Sequence, residues 1–131
     1  MKPIKIPCLK LLMLLTLLTG CHMFSSKGKL RDFIPGTYAS AWSSPYSQTR
    51  DTLLIAPLTE DGSVTYTITR RTYIEYNAAF RKREPEYRIV RWTGSYNPGA
   101  KTVVLENSGR VLSFDPDKQQ LMMGIVVYKK L

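Results

Sequence analysis

The sequence predicts an all-β fold, an antiparallel meander of seven to eight strands rolled into a small barrel or a two-layer sandwich. Three observations carry that prediction. Residues 63–76 alternate with period two, with Val64, Tyr66, Ile68, Ile74 and Tyr76 on one side and Thr65, Thr67, Thr69, Arg71, Tyr73 and Glu75 on the other. The stretch is rich in β-branched and aromatic residues and lacks the three-and-four spacing of an amphipathic helix. Turn-forming clusters then recur at short intervals from Pro35-Gly36 to Asp115-Pro116-Asp117, as closely spaced antiparallel strands require.

Taken in order, residues 36–42 form the first expected strand, opened by Pro35-Gly36 and followed by the loop 43–47. Residues 51–56 form the second, ended by Pro57, which cannot donate to a ladder. Glu60-Asp61-Gly62 is a hairpin signal, because Asp-Gly supplies the positive φ angles of tight turns. The third strand is the alternating stretch 63–76, whose apolar face is broken by Arg70 and Thr72; a bend or bulge near Arg70-Arg71 is expected there. After the charged connection 77–85, residues 86–96 read as a long strand. Shorter strands follow at 101–106 and 110–114, separated by Asn97-Pro98-Gly99-Ala100 and Asn107-Ser108-Gly109. Residues 120–129 are apolar on both faces and read as one closing strand deep in the sheet.

The amino-terminal part has a different character. Residues 1–10 hold three lysines and no acid, and Leu11 to Leu18 form an apolar run of eight residues. That is the layout of a helical signal peptide, and it is far short of the roughly 20 residues needed to span a bilayer. Leu18-Thr19-Gly20-Cys21 completes it: an aliphatic residue, two small ones that let a peptidase reach the backbone, and a thiol. This segment resembles the lipobox of bacterial lipoproteins. The resemblance implies cleavage between Gly20 and Cys21, and acylation of Cys21 by diacylglycerol and a palmitate-type chain. It divides the chain into a leader (1–20), a flexible tether (21–33) rich in Ser, Gly and Lys, and a β domain (34–131). The tether has no acidic cluster after Cys21, so a periplasm-facing anchor on the cell membrane or outer membrane is expected. The motifs Asp51-Thr52-Leu53, 67–72, 91–96 and Gly124-x-x-x-Tyr128-Lys129 resemble small Bacteroidota lipoproteins, a likeness that implies no particular activity. Gly36-Thr37-Tyr38 resembles the Gly-x-Trp opening of lipocalins, with Tyr38 in place of the tryptophan, and implies as an alternative a carrier of a small apolar ligand.

The charge is +9; without the three leader lysines, sixteen cations face ten acids, a net +6. An excess of that size reads either as an ordinary solvated surface or as attraction to an anionic partner. Nucleophilic Ser-His or Cys-His catalysis has no base or thiol in the domain, because His22 and Cys21 lie in the tether and Cys8 in the leader. Zinc sites built on His or Cys fail for the same reason, and no cofactor, metal or enzymatic activity is expected. Asp115 and Asp117 lack the run of oxygen ligands that calcium needs. The candidate partner-binding residues are Arg70, Arg71, Tyr73, Arg81, Lys82, Arg83, Arg88 and Trp92, a basic stretch interleaved with aromatics. One reading is a docking face for an envelope protein or an anionic glycan, with no nucleic acid expected; the other is a solvated hairpin whose cations discourage edge-to-edge aggregation. The function expected is therefore that of a membrane-anchored binding or scaffolding module.

Overall fold

The computed structural model describes residues 30–59, 64–79 and 83–131. Eight strands, β1 (Gly36–Ser43), β2 (Ser47–Pro57), β3 (Thr65–Tyr76), β4 (Glu86–Asn97), β5 (Thr102–Leu105), β6 (Val111–Asp115), β7 (Gln120–Met123) and β8 (Val126–Lys130), follow one another around a closed barrel. Every neighbouring pair is antiparallel, and closure is made by β1 on β8 through Tyr38↔Lys130 and Ala39↔Lys129. The amide of Leu131 extends that seam by donating to the Thr37 carbonyl at 2.9 Å.

Period-two alternation fills the interior. Tyr38, Leu53, Ile55, Tyr66, Ile68, Val103, Leu105, Leu112, Leu121 and Tyr128 are all buried. An eight-stranded barrel is just wide enough for its own side chains to pack across it. Gly94 shows how tight that packing is: a β-carbon there would lie 2.7 Å from Val103 Cγ1, 3.0 Å from Ile68 Cδ1 and 3.2 Å from Leu105 Cδ2. Where β4 passes this point, only a hydrogen atom fits.

One end of the barrel, the base, gathers the start of β1 and the end of β8. A helical turn over residues 30–33 covers it. Leu30, Phe33 and Ile34 are buried there, and Phe33 meets Tyr38 and Phe114 edge to face at 5.8 and 6.3 Å. The Tyr38 hydroxyl donates to the Phe33 and Ile34 carbonyls at 2.6 and 3.0 Å, and the Lys130 ammonium donates to the Phe33 carbonyl. The packed unit thus takes in residues 30–33, which the sequence assigns to the tether.

Two further differences from the sequence reading have plain causes. Residues 120–129 are not one strand but a hairpin, β7 and β8, joined by Gly124-Ile125 with φ +63° at Gly124. A two-residue turn pairs Met123 with Val126, so the inward set passes from odd to even numbers and looks apolar on both faces when read as one strand. The expected bulge near Arg70-Arg71 does not form. The register runs unbroken through Leu53↔Arg70↔Val90 and Thr52↔Arg71↔Ile89. Arg70 is tolerated on the inner face because a buried carboxylate waits for it.

Candidate binding surface on the projecting sheet

The barrel is uneven. Toward the mouth, opposite the base, two seams open: β4 pairs with β5 only over Gly94–Asn97, at the base end of β4, and β1 with β8 only at Tyr38 and Ala39. The remaining lengths of β1 to β4 continue as a four-stranded sheet that projects past the shorter β5 to β8. Each side chain on it faces inward or outward by parity, and the two faces differ in chemistry.

The inner face begins with a buried charge cluster. Asp51 has no solvent exposure. Its Oδ2 accepts from Arg70 Nε at 2.8 Å and from the Tyr128 hydroxyl at 2.7 Å, with a second Arg70 nitrogen 2.7 Å away. Its Oδ1 accepts from the Thr72 hydroxyl at 3.0 Å. A carboxylate withdrawn from water needs this degree of pairing, and every one of these donors comes from a neighbouring inward position. Burial opposes the Arg70 charge, but its hydrogen bond to Asp51 and the attraction of that carboxylate prevail and raise the Arg70 pKa. Nearer the rim, Glu86 accepts from Tyr76 at 2.8 Å and from Arg88 Nε at 2.7 Å. Those two bonds, that of Arg88 the larger, hold the Glu86 carboxyl below its ordinary range. Arg83 lies over the Tyr76 ring at 4.7 Å and Arg110 over the Trp92 ring at 5.7 Å.

Among the described residues, the outer face carries its cations without carboxylate partners. Cross-strand rows place Arg50, Tyr73 and Tyr87 side by side, then Thr52, Arg71 and Ile89, then Leu54, Thr69 and Arg91. Arg50 sits 5.8 Å from the Tyr73 ring, and the Tyr73 and Tyr87 rings are 4.8 Å apart. Tyr87 is 77% exposed and Ile89 57%. Glu75 is the one acid among the described outward positions of β1 to β4. Beside Arg91 a shallow groove of about 370 Å³ runs between Thr67, Thr69 and Thr93 and the end of β5 at Glu106 and Asn107.

The predicted residues are therefore divided. Arg71 and Tyr73 lie on the outer face; Arg70, Arg88 and Trp92 lie on the inner one, with Arg70 committed to Asp51. Arg83 stands at the root of the β3–β4 connection, while Arg81 and Lys82, like Gly20 and Cys21, lie outside the described residues. Strand parity alone separates Arg70 from Arg71. Arg50 and Ile89 were not among the predicted residues, because only the register of β2 and β4 against β3 brings them beside Arg71 and Tyr73. No group of three or more His, Cys, Asp or Glu positioned for a metal occurs among the described residues.

Two buried phenols give the domain a pH signature. Burial pushes the pKa of Tyr38 upward, and burial together with the bond to Asp51 pushes that of Tyr128 upward. In the unfolded chain both ionise near pH 10, so below that value their contribution is intact, and above it the unfolded state gains by losing protons. The melting temperature is expected to fall progressively above about pH 10. Lys130, whose pKa burial lowers, opposes this as one partly exposed group against two. A scan of melting temperature against pH checks it: the decline should flatten in a Tyr38→Phe/Tyr128→Phe variant.

Comparison of the chain with protein-family models, with curated proteins and with solved structures returns no match, so the site's own geometry carries the functional reading.

Proposed function

We propose that this protein is a lipid-anchored envelope lipoprotein whose barrel acts as a non-catalytic binding or scaffolding module for an anionic envelope component. The observation that supports this reading is the outer face of the projecting sheet, where Arg50, Arg71 and Arg91 stand with Tyr73 and Tyr87, the described outward strand positions hold one acid, Glu75, and Glu106 lines the groove beside Arg91. Guanidinium groups are planar, permanently charged and weakly hydrated, which suits them to carboxylate or sulfate groups while tyrosine faces supply flat contact area. Exposed cations that already have carboxylate partners gain little from a ligand; these do not carry that handicap. The barrel interior, by contrast, is occupied by its own tyrosine and aliphatic side chains, which favours the surface over a carrier's lumen.

Chromatography on an immobilised polyuronate, a carboxylate-bearing glycan, tests the proposal. The wild-type protein should be retained at low salt and released as salt screens the contacts. Reversing Arg50, Arg71 and Arg91 to Glu should abolish retention. The single outward change Arg71→Glu and the inward change Arg88→Glu each alter the net charge by the same two units, and the first should weaken retention strongly while the second reduces it only slightly. Equal loss in these two variants would reduce the effect to net charge and overturn the assignment.

A further inference from the structure

From residue 86 to residue 92, β4 has β3 on one side and no strand among the described residues on the other. Alternate residues of a strand present their amide and carbonyl to opposite edges. The Tyr96 amide donates to Val64 on the β3 side, and the Thr93 carbonyl accepts from Glu106 on the β5 side. By the same alternation Tyr87, Ile89 and Arg91 aim their backbone groups at the free edge. Folded proteins blunt such edges with proline, bulges, short strands or charged side chains. The free length of β4 has only the last of these, Glu86, Arg88 and Arg91: there is no proline, the pairing with β3 is unbroken over Glu86–Ser95, and β4 is twelve residues long, so pairing at this edge requires a register that opposes no like charges. The free length of β1, Ser40–Ser43, is shorter and carries only Trp42 as a large side chain.

We infer that this edge pairs with the same edge of a second copy, antiparallel about a two-fold axis at Ile89. The residue order selects both partner and register. With Ile89 opposite Ile89, Tyr87 faces Arg91 of the second copy, repeating the arginine–tyrosine contact already present between Arg50 and Tyr73. Arg88 then faces Val90, and Glu86 faces Trp92, so no like charges are directly opposed. Moving the axis to Arg88 sets Arg88 against Arg88. Moving it to Val90 brings Glu86 against Gly94, whose edge β5 already occupies through Leu105. The Ile89 register alone pairs the whole free length without a charge conflict. It joins the two projecting sheets into one and sets their arginine-bearing outer faces side by side. It does not depend on what those faces bind.

Sedimentation velocity of the full chain in detergent, followed across the micromolar range, should show a dimer. Ile89→Lys places like charges across the axis and should weaken association at least about tenfold. Ile89→Pro removes only an edge-facing amide and should have the same effect while the thermal melt shows a folded domain. In a Cys8→Ser/Cys21→Ser background, Ile89→Cys should form an intermolecular disulfide on mild oxidation. Tyr87→Cys, displaced from its own copy in this register, should not. A monomeric wild-type chain, an Ile89→Lys chain as dimeric as wild type, or a Tyr87→Cys chain that crosslinks as readily as Ile89→Cys would each overturn the inference.

Discussion

Replacing Asp51 by alanine is expected to destabilise the barrel by about 3–5 kcal/mol, the cost of removing one partner from a buried ion pair. Three donors lose their acceptor at once: the Arg70 guanidinium, the Tyr128 hydroxyl and the Thr72 hydroxyl. Tyr128 is fully buried, and the Arg70 side chain is only 21% exposed, so water can replace little of what the carboxylate supplied. β8 is distant in sequence from β2 and β3, since the bond from Tyr128 to Asp51 spans 77 residues. Its loss therefore loosens the contact between β8 and β2 across the seam made by β1. Urea denaturation followed by the fluorescence of Trp42 and Trp92 measures the change. An Asp51→Ala/Arg70→Leu double variant should lose much less than the two single losses added together, because it removes the stranded charge along with its partner. A loss under about 1 kcal/mol in Asp51→Ala would show that the cluster does not hold the barrel.

Replacing Cys21 by alanine is expected to remove the acyl label entirely and to move the protein from membranes to the soluble fraction. Each buried methylene of an acyl chain contributes about 0.8 kcal/mol, so two or three chains make anchoring close to irreversible, and their loss is an all-or-none effect. The apolar run Leu11 to Leu18 is too short to take over as a spanning helix. Growth with labelled palmitate, followed by membrane fractionation, reads both consequences. A Cys21→Ala chain that keeps its label would end the lipoprotein reading.

Much of the fold was legible because the barrel is built from local rules. Alternation in 63–76 and the Asn, Gly and Pro clusters place β3, β4, β5 and β6 close to where they lie. The hairpin at Gly124 was missed although its signal is present: the inward set runs Leu121, Met123, then Val126, Tyr128, a switch of parity that the two-residue turn makes. The site was harder to read, since a run of neighbouring cations along one strand is not a patch. Arg70 and Arg71 adjoin in sequence but point to opposite faces, one to Asp51 and one to solvent. Asp51 lies inside with Leu53 and Ile55 of the same parity, and its partners on β3 are set by the β2–β3 register and that on β8 by closure of the barrel. Arg50 joins the outer face through a register of non-local pairs that no window of sequence contains.

The covering of the base by the turn at 30–33 also sets a direction. The chain reaches the barrel at the end where β1 begins, whereas the arginine-bearing sheet rises at the other end along β3 and β4. Twelve residues of extended strand measure about 40 Å. With Cys21 acylated, the eight residues before Leu30 add a leash of at most about 28 Å. If Cys21 carries the proposed lipid and the barrel meets the membrane base first, Arg50, Arg71 and Arg91 stand beyond the screening distance of anionic headgroups, roughly 8 Å in physiological salt. In that posture lipids of the anchoring leaflet would not compete for the outer face.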